Sequence, residues 1–464
     1  MNHSTPAPRK LWPDYRSVWR WHFYAGLFCT PFVLWLACTG SLYLFRPQVE
    51  AWLDRPYEGL RLDGPAATAQ AQVQAALAAV PGSRLHAYQL PLTPQSAVQV
   101  LVGKGADEYR VYVHPQTLQV LKQEREDGRP MRLIFRLHGE LLLGDRGSML
   151  VELAASWAII MIVSGLFLWW PRQAQGLGGV LYPRLGRGGR IFWRDLHAVT
   201  ALWVSAFALF LLISGLPWAK SWGGNLKALR QFGSQTQMQQ DWTTGSSSEA
   251  ARREAMNAPA TMAGEHHHGH MDETAGPQDL SALDRIVAMV RPLHLPAPVL
   301  IAPPSKASPD WSARSNTQNR PQRVSLTLDA ASGAILQRQE FSQRPLLDRI
   351  IGTGTAAHEG QLFGWFNQLL GVLTALGLVT ISLSAVKLWW SRRPDGTLGA
   401  PALLQARRLP LALPLLLVLF GVLLPLFGAS LIAVLLGERL LLRRIPPVRD
   451  FLGLGPAGAS TAEA

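Results

Sequence analysis

Four stretches of the chain, residues 21–45, 149–170, 196–218 and 366–390, are predominantly apolar. About 20 such residues in a row cross roughly 30 Å of hydrocarbon as a helix, so each is read as a membrane span. A fifth apolar run, 409–436 within a C-terminal segment 409–444, has Pro425 near its middle. It reads as one long kinked helix or as a hairpin of two short ones. The first run continues through Leu42 to Phe45 without a polar break, so it is read as an uncleaved anchor, although Trp35-Leu36-Ala37-Cys38 partly resembles a lipoprotein cleavage site.

The long connections, 46–148 and 219–365, change the hydrophobic period. In the first, the Ala-rich stretch 66–80 reads as a helix. Alternating strands follow at 84–90 and 97–102, then a strand pair 109–113 and 118–121 around the turn His114-Pro115-Gln116. In the second, a helix is expected near 281–291, and closing strands at 322–328 and 334–336 flank the turn Asp329-Ala-Ala-Ser-Gly333. Residues 231–280, rich in Gln, Ser, Thr, Met and His, read as a flexible insert. The pattern predicts a mainly α membrane protein: helix, small α+β domain, helix, twice over, then a C-terminal hydrophobic helix or hairpin. The four core spans would be two parallel repeats about a pseudo-two-fold axis along the membrane normal.

Charge adds an orientation. The N-terminal 1–20 carries Arg9, Lys10, Arg16 and Arg20 against Asp14. The 171–195 loop carries Arg172, Arg184, Arg187, Arg190 and Arg194 against Asp195, and the 391–408 loop Arg392, Arg393, Arg407 and Arg408 against Asp395. Short basic segments mark the cytoplasmic side, so both long connections are expected outside, with the N-terminus cytoplasmic. The tail from 445 to 464 follows a basic stretch (Arg439, Arg443, Arg444), which suits a hairpin returning inside. The net charge of +13 thus reads as membrane orientation, not nucleic-acid binding. A mean hydropathy of +0.09 fits spans joined to sizeable polar domains. The two cysteines, Cys29 and Cys38, are nine residues apart on one helix, roughly 13 Å along its axis. That is too far for a bridge.

Four histidines recur at matched offsets. His22 lies 18 residues before Gly40, as His197 does before Gly215 (40 − 22 and 215 − 197). His138 lies 31 residues before the Trp169-Trp170 pair, as His358 does before Trp389-Trp390 (169 − 138 and 389 − 358). The first pair is related by a shift of 175 residues and the second by 220, and the 220 shift also matches Gly144 with Gly364, Ser164 with Ser384 and Arg172 with Arg392. Ionisable rings kept at the membrane edge four times suggest paired ligands, for which haem iron is the usual reason. A two-fold axis would set His22 opposite His197 and His138 opposite His358, giving two haem sites. With no Cys-x-x-Cys-His, such haems would be non-covalent b-type.

The helix motifs carry a resemblance. His22-Phe-Tyr-Ala-Gly26-Leu27 with Thr39-Gly40 is similar to the opening of the PepSY-associated transmembrane family. So are His138-Gly-Glu-Leu-Leu-Leu-Gly144 ending in Leu168-Trp169-Trp170-Pro171-Arg172, and His358-Glu-Gly-Gln-Leu-Phe-Gly364 ending in Leu388-Trp389-Trp390. The strands around Asp329-Ala-Ala-Ser-Gly333 resemble a PepSY domain. The likeness covers most of 18–393 and departs from the pattern at Ala201, where the family has Gly, and in the insert. It implies a bacterial inner-membrane protein. Relatives of this kind include ferrisiderophore reductases with two haems, so the resemblance implies electrons passing from quinol or a cytoplasmic donor to a ferrisiderophore or other periplasmic ferric complex. Iron(II) would be released, because siderophore oxygen donors prefer the harder ferric ion.

Other motifs weigh against or beside this reading. Glu265-His266-His267-His268-Gly269-His270-Met271 offers imidazole and thioether donors for a metal at His266, His267, His268 and His270, which keeps a copper-handling reading open. A haem-free PepSY interaction or regulatory protein is the other alternative. Glu152 and Lys387 are the main charges inside the four core spans and have no counterparts in the matching helices, which counts against a paired transport site. His86, His114 and His294 read as surface or turn residues, and the Trp pairs as interface anchors. Gly352-Thr-Gly354-Thr-Ala-Ala357 and Gly453-Leu-Gly455-Pro-Ala-Gly458 match a dinucleotide fingerprint by letter only, outside any βαβ unit. Electrons must therefore come from a partner or from quinol.

Overall fold

A computed structural model of the chain describes residues 15–171, 176–232, 244–259, 278–306, 308–401 and 412–454. In chain order the helices are α1 (Tyr15–Tyr43), α2 (Arg46–Asp54), α3 (Ala69–Ala79), α4 (Pro130–Glu140), α5 (Gly144–Trp169), α6 (Gly189–Gly215) and α7 (Lys220–Phe232). There follow α8 (Gly245–Asn257), α9 (Leu283–Val290), α10 (Leu346–His358), α11 (Trp365–Trp390), α12 (Ala412–Leu423), α13 (Pro425–Leu440) and α14 (Pro446–Phe451). The strands are β1 (Arg84–Gln89), β2 (Val98–Lys104), β3 (Asp107–Val113), β4 (Val120–Arg125), β5 (Val299–Ala302), β6 (Trp311–Ser315), β7 (Val324–Leu328) and β8 (Ile335–Glu340). Among the described residues five helical segments are long and apolar enough to cross a membrane: Tyr15–Tyr43, Gly144–Trp169, Gly189–Trp218, Trp365–Trp390 and Pro425–Arg444. This is a multi-pass membrane protein with a β-sheet region.

The chain forms two compact units, one of Met1–Ser41, His138–Gln239 and Val372–Ala464, the other of Leu42–Leu137 and Gln240–Gly371. In the first, α1 and α5 run antiparallel: His22 reaches Met161, and the Cys29 thiol approaches the Ala154 carbonyl at 3.7 Å. The helices α6 and α11 do the same, with His197 against Ile381 and Val204 against Gly377. A Cβ on Gly377 would lie 2.4 Å from Val204 Cγ2, so only glycine permits this helix approach. Glu152, buried in α5, has a structural task. Its carboxylate accepts the Ser221 N–H at 2.9 Å and the Trp222 N–H at 3.1 Å, capping the start of α7. Lys220 adds an ion pair with Asp145 at 2.7 Å.

The C-terminal run is a hairpin. Pro425 opens α13, where a proline needs no amide partner, and α12 and α13 meet at Gly421 and Gly428. A Cβ on Gly428 would be 2.9 Å from Gly421 Cα. Ile159, Leu216, Leu424 and Phe427 form a buried cluster that ties the hairpin to α5. Beyond it the chain returns to the end of the unit where α1 begins. Arg20, itself buried, donates to the Pro401 carbonyl at 2.7 Å and the Gly453 carbonyl at 2.9 Å. Tyr24 donates to Leu452 O at 2.6 Å, and Arg392 stacks over Trp19 at 4.7 Å. The start of α1, the segment after α11 and the chain after the hairpin thus meet at one end.

In the second unit the strands make one antiparallel sheet, ordered β4-β3-β2-β1-β5-β6-β7-β8. Two separate small domains were expected, and here the structure differs. Strands β1 and β5 pair through Tyr88↔Ile301 and Gln89↔Leu300, which removes an exposed edge from each half. A single core also unites the halves, with Val73 and Ala76 of α3 and Leu283 and Ile286 of α9 packed with Val98, Val111, Trp311 and Leu326. Strands β5 and β6 escape the hydrophobic pattern because one has four residues after two prolines and the other, Trp311–Ser315, alternates with polar residues.

The expected insert 231–280 contains order as well. Its residues Gly245–Asn257 are α8. The Arg253 guanidinium, buried, bonds Asp127 at 2.8 Å and Glu249 at 3.1 Å. Asn257 Nδ2 donates to the Gly105 carbonyl at 2.7 Å, which turns its Oδ1 towards His86 Nε2 at 2.9 Å. His86 is therefore no surface residue. Its ring is fully buried, with Nδ1 2.8 Å from Glu108 Oε1. The polar composition of α8 hid this docking, since ion pairs and not apolar residues hold it. His114 does sit in a turn, its Nδ1 accepting the Gln116 and Thr117 amides. His294 is exposed at a left-handed position after a short 3-10 helix.

Candidate functional site

Three of the four matched histidines present one common geometry in the helical unit. His22, on α1, has Nδ1 3.0 Å from the Met161 carbonyl and 3.0 Å from Ser164 Oγ, both on α5. His197, on α6, has Nδ1 3.0 Å from the Ile381 carbonyl and 3.4 Å from Ser384 Oγ, both on α11. The partners keep the 220-residue shift (381 − 161 and 384 − 164), and the histidines keep theirs of 175 (197 − 22).

The hydrogen bonds fix the tautomer. A carbonyl only accepts, so both Nδ1 atoms carry the proton and donate it. The serine hydroxyls agree, because each spends its own proton on that same carbonyl, Ser164 on Met161 O and Ser384 on Ile381 O, both at 2.9 Å. The lone pair is left on Nε2 of each ring. His22 is also close enough to His197 for a charge on one ring to be felt by the other. Helix α5 offers Gly165 beside the His22 ring, where a Cβ would lie 3.0 Å from Cε1.

His138 lies in α4, the short helix before α5, and is cradled by α1. Thr39 Oγ1 donates to the Trp35 carbonyl at 2.8 Å, so it can only accept from His138 Nδ1, 3.0 Å away. A Cβ on Gly40 would sit 3.1 Å from His138 Cε1, which explains the Thr39-Gly40 pair. His138 is again a ring whose Nδ1–H is donated to the protein. His358 is the last residue of α10, the short helix before α11. Gly144 and Gly364, which close the two turns, both adopt φ +60°, a conformation that favours glycine.

A ring whose Nδ1–H is held by the protein, and whose Nε2 is free, is the usual preparation of a metal-binding histidine. His22 and His197 are two such rings, each inside an apolar helix and each held by a backbone carbonyl and a serine of the neighbouring helix. The profile of the PepSY-associated TM region matches residues 19–392, which is most of the chain and holds all four histidines. The chain belongs to that family. No curated protein matches it. Within this PepSY-associated framework the conspicuous residues beyond the histidines are their supports, Met161, Ser164, Ile381, Ser384 and Thr39. Ser164 and Ser384 show in the sequence through their shared shift, whereas a backbone carbonyl leaves no mark there.

The first Trp of each pair is more than an anchor. Trp169 Nε1 donates to the Val180 carbonyl at 3.0 Å and Trp389 Nε1 to the Leu398 carbonyl at 2.9 Å, closing the loops after α5 and α11. Trp170 and Trp390 are exposed. Gly352–Ala357 lies inside α10, not in a phosphate-binding turn. The cluster His266, His267, His268 and His270 lies outside the described residues, as does Arg172.

Proposed function

We propose that the protein is a di-haem electron carrier of the inner membrane, with its N-terminus cytoplasmic, that reduces ferric siderophore or a related ferric complex on the outer side. His22 and His197 would hold one b-type haem, and His138 and His358 the other, the latter pairing resting on their sequence offsets. The observation that carries the reading is the repeated Nδ1–H donation by His22, His197 and His138, which in His22 and His197 leaves Nε2 as the free donor atom. A haem held by two of these imidazoles would supply reversible one-electron transfer.

The chain's own residues prepare the ligands. The Met161 and Ile381 carbonyls and the Thr39 hydroxyl orient the rings and raise their basicity. The apolar faces of α1, α5, α6 and α11 exclude water. The electron donor would be quinol or a cytoplasmic reductant.

The test is anaerobic. Dithionite-reduced protein, freed of reductant, should be reoxidised by a ferric hydroxamate siderophore with Fe(II) accumulating in a ferrozine trap. Absence of any reoxidation by ferric complexes would refute the substrate assignment.

A further inference from the structure

One face of the eight-stranded sheet carries the apolar core, with Trp311 and Ala313 of β6 and Val324, Leu326 and Leu328 of β7 turned into it. The alternate residues face the other way. Across six strands they align as Tyr112, Gln99, Gln89, Leu300, Arg314 and Ser325. Arg323 is extended and stands two residues before Ser325, on the same face. It is a diagonal neighbour of Arg314, roughly 7–8 Å away at the backbone.

Several cations of this unit are matched by carboxylates. Arg110 bonds Glu126 at 2.9 Å, Arg46 bonds Glu50 at 2.9 Å, and Arg320 pairs with Glu359 at 3.4 Å. The Arg314 side chain has neither hydrogen bond nor ion pair among the described residues. The Arg323 side chain makes one bond, from Nε to the Thr317 carbonyl at 2.7 Å, and its two terminal nitrogens have no partner among the described residues. Both side chains are partly buried. The surrounding field is positive: Arg320, Arg314 and Arg46 all act on Arg323, against Glu359, which Arg320 already engages. Arg252 acts on Arg314 against Glu108, which His86 already engages. Burial first, then these like charges, hold Arg314 down to about 10 and Arg323 down to about 9.

A guanidinium withdrawn from water without an anion is costly, and its planar fork fits a carboxylate in two-point contact. Two such groups, set apart on one sheet face, match a ligand with two separate anionic ends better than one compact ion. We propose that Arg314 and Arg323 form a receptor for a ligand bearing at least two carboxylates. Two sources share this chemistry: the propionates of a haem on His358, whose chain neighbour is Glu359, or a free polycarboxylate ferric complex. The first source rests on the function proposed above, and the second does not.

The test uses the full-length protein in detergent, with R314Q/R323Q and R314K/R323K as variants and citrate and ferric citrate as probes. If the ligand is free, citrate or ferric citrate raises the unfolding temperature of the wild type saturably. The Gln variant then binds at least tenfold more weakly, the Lys variant falls between, and the haem spectrum is unchanged. If the ligand is haem, neither probe binds the wild type, and the Gln variant loses or shifts the midpoint of the same haem that His358→Ala removes. Either pattern supports the receptor. Probe affinity and haem midpoints both within twofold or about 10 mV of wild type in the Gln variant would overturn it. Should the Gln variant fail to fold, the Lys variant decides by the same readouts, since it keeps the charge and loses the fork. A protein that carries no haem would refute the proposed function, while the citrate titration would still decide for or against the receptor.

Discussion

Thr39→Val probes the support of His138 with little change of shape. Thr39 is buried, its hydroxyl proton is committed to the Trp35 carbonyl, and its oxygen accepts the His138 Nδ1–H at 3.0 Å. Valine fills the same volume and removes the oxygen that accepts the His138 Nδ1–H, at a cost of about 1–3 kcal/mol. Loss of such a supporting partner weakens a metal site by about 10–100-fold, which corresponds to about 1.4–2.7 kcal/mol and agrees with that range. Ser164→Ala is the matched control. His22 keeps the Met161 carbonyl at 3.0 Å when the hydroxyl is removed, so the loss should stay under about threefold, and Ser384→Ala should behave alike around His197. Haem transfer to excess apomyoglobin, followed in the Soret band, reads these differences directly. We predict that Thr39→Val speeds loss of one haem of two by 10–100-fold, whereas Ser164→Ala and Ser384→Ala leave both nearly unchanged. Equal sensitivity to all three variants, or none to Thr39→Val, would refute the tautomer argument.

Other outcomes follow from the same geometry. Gly40→Ala places a Cβ 3.1 Å from His138 Cε1 and should displace the ring and deplete the same haem as Thr39→Val, seen as a halved haem content. Alkaline phosphatase fused after Gly245 should be active and fused after Gly178 inactive, with the reverse result inverting the direction of electron flow. Burial opposes ionisation of Asp127, but its bonds and attraction to Arg253, then Arg132, hold its carboxyl down to about 2. Its contribution to α8 docking is thus fully present above the unfolded value of about 3.9 and lost as pH falls through about 2. Amide exchange in 245–257, corrected for intrinsic rate, should rise only in that window, and a transition near neutral pH would contradict it. Deleting 260–277, which spares the Asn257 contact to His86, should leave ferric reduction unchanged, whereas loss of a preference for Cu(II) on deletion would favour the copper reading.

The spans and their histidines were legible because both depend on side chains. Apolar length marks α1, α5, α6 and α11, and the shifts of 175 and 220 expose His22, His197, His138 and His358 before any helix is placed. Pro425 announced a break yet left kink and hairpin equally open. Contact between Gly421 and Gly428 decides for the hairpin, and a close backbone approach is invisible in a run of leucines. The sheet was half legible. The four strands of its first half alternate clearly, but the pairing of β1 with β5 is made by backbone groups between segments some two hundred residues apart. His86 was misread because its partners, Glu108 and Asn257, lie on elements that only the fold brings to it. The supports of the matched histidines divide the same way: Ser164 and Ser384 recur as letters and Thr39 stands in the Thr39-Gly40 motif, while the carbonyls of Met161 and Ile381 leave no mark.

The pyridine haemochrome of the purified protein decides whether four histidines hold two non-covalent haems. A b-type spectrum with two haems per chain is expected, falling to one in His22→Ala and in His197→Ala, with the same haem lost in both. A colourless protein, or single variants of that pair that remove different haems, would contradict it.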